Sequence, residues 1–207
     1  MRDDETRAGA YAEAPSPRPA PKMVEAFDHA AGSLARHVPG GATGFRGVLL
    51  HIHVAPAASY EMEELAEAEC VAGRGIVGDR YHVGTGTYSP KPDTREVTLI
   101  EQEALDALSR NDPPLQRGPI ALAPGDHRRN LTVRGVPLNH LVGRRFRVGE
   151  VILRGGRLNF PCKYLEELLG LPVYLPLYNR SGLNCGIERG GVIRPGDGIE
   201  LLNDVPA

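Results

Sequence analysis

The chain has 207 residues and a formal net charge of -2 at pH 7, which gives no electrostatic footprint for nucleic-acid binding. It has no run of about eighteen apolar residues, and its acidic N-terminus lacks the apolar stretch of a signal peptide, so we expect a cytoplasmic protein without a membrane partner. The widely spaced Cys70, Cys162 and Cys185 predict neither a disulfide framework nor a zinc site of paired cysteines.

Residues 1–44 are expected to form an N-terminal tail. Up to about residue 20 the segment is rich in alanine, proline and charge, which is typical of disorder. The following stretch, PKMVEAFDHAAGSLARHV, carries apolar residues at helical spacing and predicts a short amphipathic helix. The glycines of PGGATG would end it.

Residues 45–204 have a different pattern, in which short apolar runs are separated by glycines. Strands are predicted in GVLLHIHVAP, REVTLI, RRNLTVRGV, RRFRVGEVILRGGRLNF and GVIRPGDGIELL, and short helices in EQEALDALSRN and CKYLEELLG. Many short strands with few helices predict a mainly β protein with a β-barrel core.

The loop GRGIVGDRYHVGTGTY contains five glycines together with Asp79 and Arg80. Its spacing fits neither a dinucleotide-binding fingerprint nor a P-loop. It is either a surface loop with turn glycines or a backbone cradle that binds a polar ligand with the help of an acid and a base.

A second polar segment, GDHRRNLTVRG, places Arg129 and Asn130 next to a predicted strand. If the strand begins at Arg128, alternation directs Arg128 and Asn130 to one face and Arg129 to the other. An asparagine can fix an amide or pterin edge and an arginine can hold a phosphate, although a solvated edge strand explains the same pattern.

Cys162 lies where an extended run meets a predicted helix, between Pro161 and Lys163. Free N–H groups at the start of a helix and a neighbouring ammonium both favour a thiolate. Cys70 has the alternation of an inert buried strand residue, and Cys185 fits either role. From these residues alone, Cys162 is either a reactive thiol or a core residue.

The ordered segments VAGRGIVGDRY, REVTLIEQEAL, RRNLTVRGVPLNHLVGRRFRVGEVILRG, PCKYLEE and GVIRPGD resemble the MOSC domain, which is named for the C-terminal domain of molybdenum cofactor sulfurase. The resemblance covers about residues 45–202 and is to stand-alone bacterial members. It implies a MOSC-type β-barrel in which Cys162 is the hallmark cysteine. That residue would be catalytic, either as a ligand of molybdenum in a bound pterin cofactor or as the carrier of a persulfide.

The implied function is an enzyme that handles molybdenum cofactor (molybdopterin) or sulfur, with no pyridoxal phosphate in this chain. Its partners would be a small-molecule ligand or the pterin cofactor, together with a sulfur-donor or redox protein. Two alternatives are a cofactor-free enzyme that cleaves a carbon–sulfur bond and a non-catalytic sulfur carrier. The residues expected to bind the ligand are Asp79, Arg80, Arg129, Asn130, Lys163 and Arg180.

The chain departs from the pattern of close stand-alone relatives around the expected site. Asn159 and Phe160 stand where a cysteine and an acid often precede the hallmark cysteine, and Tyr164 stands where a histidine often follows it. Asn179 and Ser181 replace two residues of a His-Arg-Gly-Gly stretch. These differences indicate that the substrate differs from that of the usual member.

Overall fold

The computed structural model describes residues 44–86, 89 and 95–202. The predicted N-terminal tail and its helix lie outside these residues. Eleven strands are described: β1 (Arg46–Val54), β2 (Glu63–Glu64), β3 (Ala68–Val71), β4 (Gly75–Ile76), β5 (Val97–Glu101), β6 (Leu131–Arg134), β7 (Arg145–Val148), β8 (Val151–Leu158), β9 (Leu183–Arg189), β10 (Gly191–Ile193) and β11 (Gly198–Leu201).

Seven of these strands close into a barrel in the order β1-β11-β7-β8-β9-β5-β6, with β6 returning to β1. Every neighbouring pair is antiparallel except β5 and β6, which run parallel. Strand β2 extends β1 at one end, and β10, β3 and β4 form a separate small sheet. The mainly β fold with a barrel core is therefore confirmed.

The barrel closes around a continuous apolar core because alternate side chains of its strands point inward. Phe146, Leu49 and Leu99 are fully buried members of this core. A smaller apolar cluster that includes Leu108, Leu165 and Leu177 packs separately. This second cluster anchors the helices.

The described part of the chain contains two α-helices, α1 (Gln102–Arg110) and α2 (Lys163–Leu169), and a 3₁₀ turn (Leu138–Leu141). Both α-helices end at a residue in the left-handed conformation, Asn111 after α1 and Gly170 after α2. Both were predicted from their apolar spacing. Neither is long and apolar enough to cross a membrane.

The strand predicted from Arg128 begins only at Leu131. Arg128 has a φ of 62°, in the left-handed region, so the extended alternation does not reach back to it. Arg129 and Asn130 precede the strand, and both are buried. The strand alternation predicted for this segment was therefore wrong for the residues that precede Leu131.

Candidate functional site

A cavity of about 460 Å³ lies beside Cys162. Its wall contains four arginines and three aromatic residues, while no aspartate or glutamate is among the described residues that line it. The wall is therefore strongly cationic and partly aromatic. These seven side chains are Arg80, Arg95, Arg128, Arg129, Tyr81, Phe160 and Tyr164.

Cys162 is an exposed free cysteine that immediately precedes α2. Its backbone is extended, and its carbonyl oxygen accepts a hydrogen bond from the Leu165 N–H at 3.0 Å. Leu165 is buried in the smaller apolar cluster, so packing of this leucine fixes where the helix begins. The side chain of Cys162 caps no backbone group and remains available to the cavity.

Arg129 lies in the cavity wall with its guanidinium held by neutral oxygens. Its Nε donates to the Ser181 carbonyl oxygen at 2.9 Å, Nη2 donates to Ser181 Oγ at 2.5 Å, and Nη1 donates to the His127 carbonyl oxygen at 2.7 Å. Burial lowers the pKa of Arg129 to about 10, while the nearby Cys162 acts to raise it. Arg129 is therefore cationic at neutral pH.

Asp79 is fully buried behind the cavity and organises the glycine-rich loop. Its Oδ2 accepts hydrogen bonds from the Ala55 N–H at 3.2 Å and from Arg80 Nη1 at 3.3 Å, and its Oδ1 accepts one from the Tyr81 N–H at 3.0 Å. The Arg80 guanidinium also lies 4.9 Å from the centre of the Tyr81 ring. These contacts orient Arg80 and Tyr81, which both line the cavity.

Asn130 is also buried, and both ends of its amide are bonded to protein. Its Oδ1 accepts from the Thr98 N–H at 3.1 Å and from Thr98 Oγ1 at 2.8 Å. Its Nδ2 donates to the His53 carbonyl oxygen at 3.1 Å and to Asp79 Oδ2 at 3.0 Å. Asn130 thus links three segments of the chain behind the cavity wall.

His127 is hydrogen-bonded to the backbone of Arg129. Its Nδ1 accepts a hydrogen bond from the Arg129 N–H at 3.0 Å, so this nitrogen carries no proton, and its Nε2 lies 3.2 Å from Thr132 Oγ1. Burial lowers the pKa of His127 to about 3, with the charge of Arg129 adding to the effect. No cluster of three or more His, Cys, Asp or Glu side chains suited to a metal ion occurs in the part of the chain that the structure describes.

The predicted site residues separate into three groups. Cys162, Arg80 and Arg129 line the cavity. The buried Asp79 and Asn130 are not among the lining residues. We therefore expect them to hold the residues of the cavity wall in place and not to contact the ligand. A further pair, Lys163 and Arg180, is not among the lining residues; Arg180 Nε donates instead to the Pro176 carbonyl oxygen at 2.6 Å.

The cavity is also lined by Arg95, Arg128, Tyr81 and Ser59, none of which was predicted to bind the ligand. Arg128 and Tyr81 each adjoin a residue that was selected, so proximity in sequence was an available signal. Ser59 had none, because it reaches the site through a hydrogen bond to Tyr164, 105 residues away.

Solved structures with a similar fold include YuaD from Bacillus subtilis, at 21% identity and a TM-score of 0.61, covering 77% of this chain and 97% of that one. YiiM from Geobacillus stearothermophilus is 15% identical with a TM-score of 0.56, covering 76% and 75%. YiiM from Escherichia coli is 17% identical with a TM-score of 0.54, covering 80% and 72%.

No match was found among curated proteins. Residues 76–200 match the MOSC domain, and this range includes Cys162 together with most of the barrel strands. The match covers more than half of the chain and agrees with the barrel fold that these residues adopt. The chain therefore belongs to the MOSC domain family.

Proposed function

We propose that this protein is a MOSC-type enzyme that binds an anionic ligand and uses Cys162 as the soft metal ligand or sulfur carrier at that site. One observation carries the proposal: an exposed thiol stands in a cavity wall whose described residues include four arginines and no acidic side chain. A wall of this composition attracts anions and provides a nucleophilic or metal-binding sulfur next to them.

The arginines support a phosphate- or carboxylate-bearing ligand, because a guanidinium binds such groups through two parallel hydrogen bonds. Arg80 Nη1 lies 3.3 Å from Asp79 Oδ2, so the carboxylate partly neutralises this arginine. The hydrogen bonds of Arg129 go to neutral oxygens instead. Arg129 therefore retains more of its charge for a ligand. Its position near Cys162 favours an anion next to the thiol.

The donor set of the cavity fits a molybdenum cofactor. Cys162 offers a soft thiolate for the metal, and Arg80 and Arg129 would hold the phosphate of the pterin. Tyr81 and Phe160 place aromatic rings in the cavity wall, against which a planar ring can pack. When bound, the cofactor would supply two-electron redox chemistry, while the residues of this chain bind and orient the reactants.

A second candidate, sulfur transfer without a metal, is favoured by the distribution of the cysteines. Cys70 and Cys185 are buried, so neither can readily attack a persulfide formed on Cys162. In such a transfer the Cys162 thiolate attacks the terminal sulfur of a persulfide donor, the donor S–S bond breaks as the new S–S bond forms, and the donor leaves as a thiolate.

The test is elemental analysis together with intact mass on the full chain, purified from a molybdenum-replete host. We expect molybdenum in the parent protein and a loss of about tenfold or more in Cys162→Ser, since a hydroxyl is a much harder ligand. The matched control is Cys70→Ala, which alters a buried cysteine outside the cavity and should retain the metal. Melting temperatures would establish that both variants are folded.

Undiminished molybdenum in Cys162→Ser would contradict the cysteine as metal ligand. Protein without metal but with the added mass of one sulfur atom on Cys162 would favour the second candidate. Protein that carries neither molybdenum nor added sulfur after purification under anaerobic conditions would contradict both candidate functions.

A further inference from the structure

The segment 58–62, between β1 and β2, contributes Ala58 and Ser59 to the cavity wall and plays no part in the proposed chemistry. Within it, Ser59 has a φ of 66°, a left-handed conformation that is uncommon for a residue with a side chain. Two long-range hydrogen bonds hold this segment: Ser59 Oγ bonds with the Tyr164 hydroxyl, and Arg128 Nη1 donates to the Tyr60 carbonyl oxygen.

Tyr164 belongs to α2, two residues after Cys162, and its side chain lines the cavity. The Ser59–Tyr164 hydrogen bond therefore joins two walls of the cavity close to the reactive thiol. Both residues are exposed, so water can replace either partner at small cost when the bond opens. This contact is thus suited to open and close in the folded protein.

A second cavity of about 320 Å³ lies on the other side of this wall. Ser59 and Arg128 line both cavities, so they form the partition between them. The second cavity is also lined by Leu168 and Leu169 and by two acidic residues, Glu61 and Asp126. The described lining of the second cavity is therefore partly acidic, whereas that of the cavity beside Cys162 is cationic.

We infer that the Ser59–Tyr164 hydrogen bond is a latch that sets the largest ligand able to reach Cys162. With the latch closed, the ligand is confined to the cationic cavity. With the latch open, the segment 58–62 moves and the two cavities join, which admits a longer ligand with an anionic end for the arginines and a polar or cationic extension for the second cavity. The inference rests on the proposed function only in taking Cys162 as the reacting atom.

The test compares the rates at which Cys162 is alkylated by a small and by a bulky reagent, iodoacetamide and fluorescein maleimide, in the full chain. The Tyr164→Phe variant removes the latch hydroxyl while keeping the ring, and Ser59→Ala removes the other partner. The matched control is Tyr178→Phe, since Tyr178 is similarly exposed but does not line the cavity. Labelling of Cys162→Ser measures the background from the buried cysteines.

We expect each latch variant to raise the ratio of bulky to small labelling rates by about threefold to tenfold, the effect of losing one hydrogen bond. The double variant should give no further increase, because both single changes remove the same interaction. Tyr178→Phe should have the ratio of the parent protein.

An unchanged ratio in both latch variants would overturn the inference. So would an equal acceleration of both reagents, which indicates general loosening and no limit on size. Because no metal or natural ligand is needed, the labelling result is independent of whether the chain retains molybdenum. Failure of the latch and failure of the proposed function are therefore distinguishable.

Discussion

The three cysteines differ in their surroundings, and this difference assigns the chemistry to one of them. Burial raises the pKa of Cys70 to about 12 and also raises that of Cys185, so both remain thiols at neutral pH. Cys162 is exposed at the cavity. An alkylating reagent, a metal or a sulfur donor can therefore reach Cys162 without local unfolding.

Arg129 shows how a buried charge can be kept for a ligand. Its hydrogen bonds go to two backbone carbonyl oxygens and a serine hydroxyl, which occupy three of the five guanidinium N–H groups without neutralising the charge. Neutral oxygens offset less of the desolvation cost of a buried cation than a carboxylate does. This cost is consistent with a cavity whose stability improves when an anion binds.

Asn130→Ala should destabilise the protein by about 3 kcal/mol, because it leaves the buried Thr98 N–H and the His53 carbonyl oxygen without their partner. The midpoint of urea denaturation would measure the change. Asn139→Ala is the control, since the exposed Asn139 makes a single hydrogen bond to the Asn179 carbonyl oxygen. A midpoint equal to that of the parent would show that Asn130 does not hold these segments together.

At the level of the elements, the site is built from residues at the ends of strands. Arg129 comes shortly before β6, Ser181 comes shortly before β9, and Cys162 lies in the short connection between β8 and α2. Strand β5 pairs with both β6 and β9, which brings their first residues to one end of the barrel. The barrel therefore positions these groups while the connecting segments supply them.

At Gly182 the neighbouring backbone of β5 leaves no room for a side chain. A Cβ there would lie 1.8 Å from the Leu99 carbonyl oxygen, and the φ of +99° is unfavourable for any residue with a side chain. Because Ser181 precedes Gly182 and holds Arg129, a shift of this backbone would also move the arginine.

Gly182→Ala should therefore lower the free energy of unfolding by about 2 kcal/mol or more. Chemical denaturation would measure this loss. Gly198→Ala in β11 serves as the control, because a Cβ at Gly198 meets nothing within 4 Å. Equal stability of the two variants would contradict the close approach of β9 to β5.

The sequence predicted most elements because each follows a local rule. The runs that became β1 and β5 have the apolar content of buried strands, and α1 has apolar residues at helical spacing. The start of β6 was missed because the left-handed Arg128 interrupts an otherwise regular pattern. The pairing of Ser59 with Tyr164 has no local signal, since the two residues are 105 positions apart in the sequence.

The whole molecule has a formal charge of -2, yet its cavity is lined by four arginines. Acidic residues are instead found in surface ion pairs, such as Glu188 with Arg145 and Glu67 with Arg194. Surface pairs of this kind contribute little to stability. The fold therefore places cationic side chains at the cavity and pairs these acidic residues elsewhere on the surface. The net charge of the chain consequently gives no indication of the charge of the cavity wall.

The folded state also keeps a neutral histidine beside a cation, and this makes stability depend on pH. The ordinary pKa of histidine is 6.5, whereas burial lowers that of His127 to about 3. Between these values the unfolded chain binds a proton that the folded chain does not. The free energy of unfolding therefore falls as pH falls from about 6.5, approaching about 1.4 kcal/mol per pH unit for this group.

His127→Asn should reduce this acid sensitivity, because asparagine can still accept the hydrogen bond from the Arg129 N–H but cannot be protonated. Between pH 6.5 and 5, the parent should lose about 1.5 kcal/mol more stability than the variant. Urea denaturation across this range would measure the difference, from which the carboxylates common to both proteins cancel. His140→Asn, at an exposed position, should keep the pH dependence of the parent. If His127→Asn also keeps it, His127 is not the group through which acid destabilises the barrel.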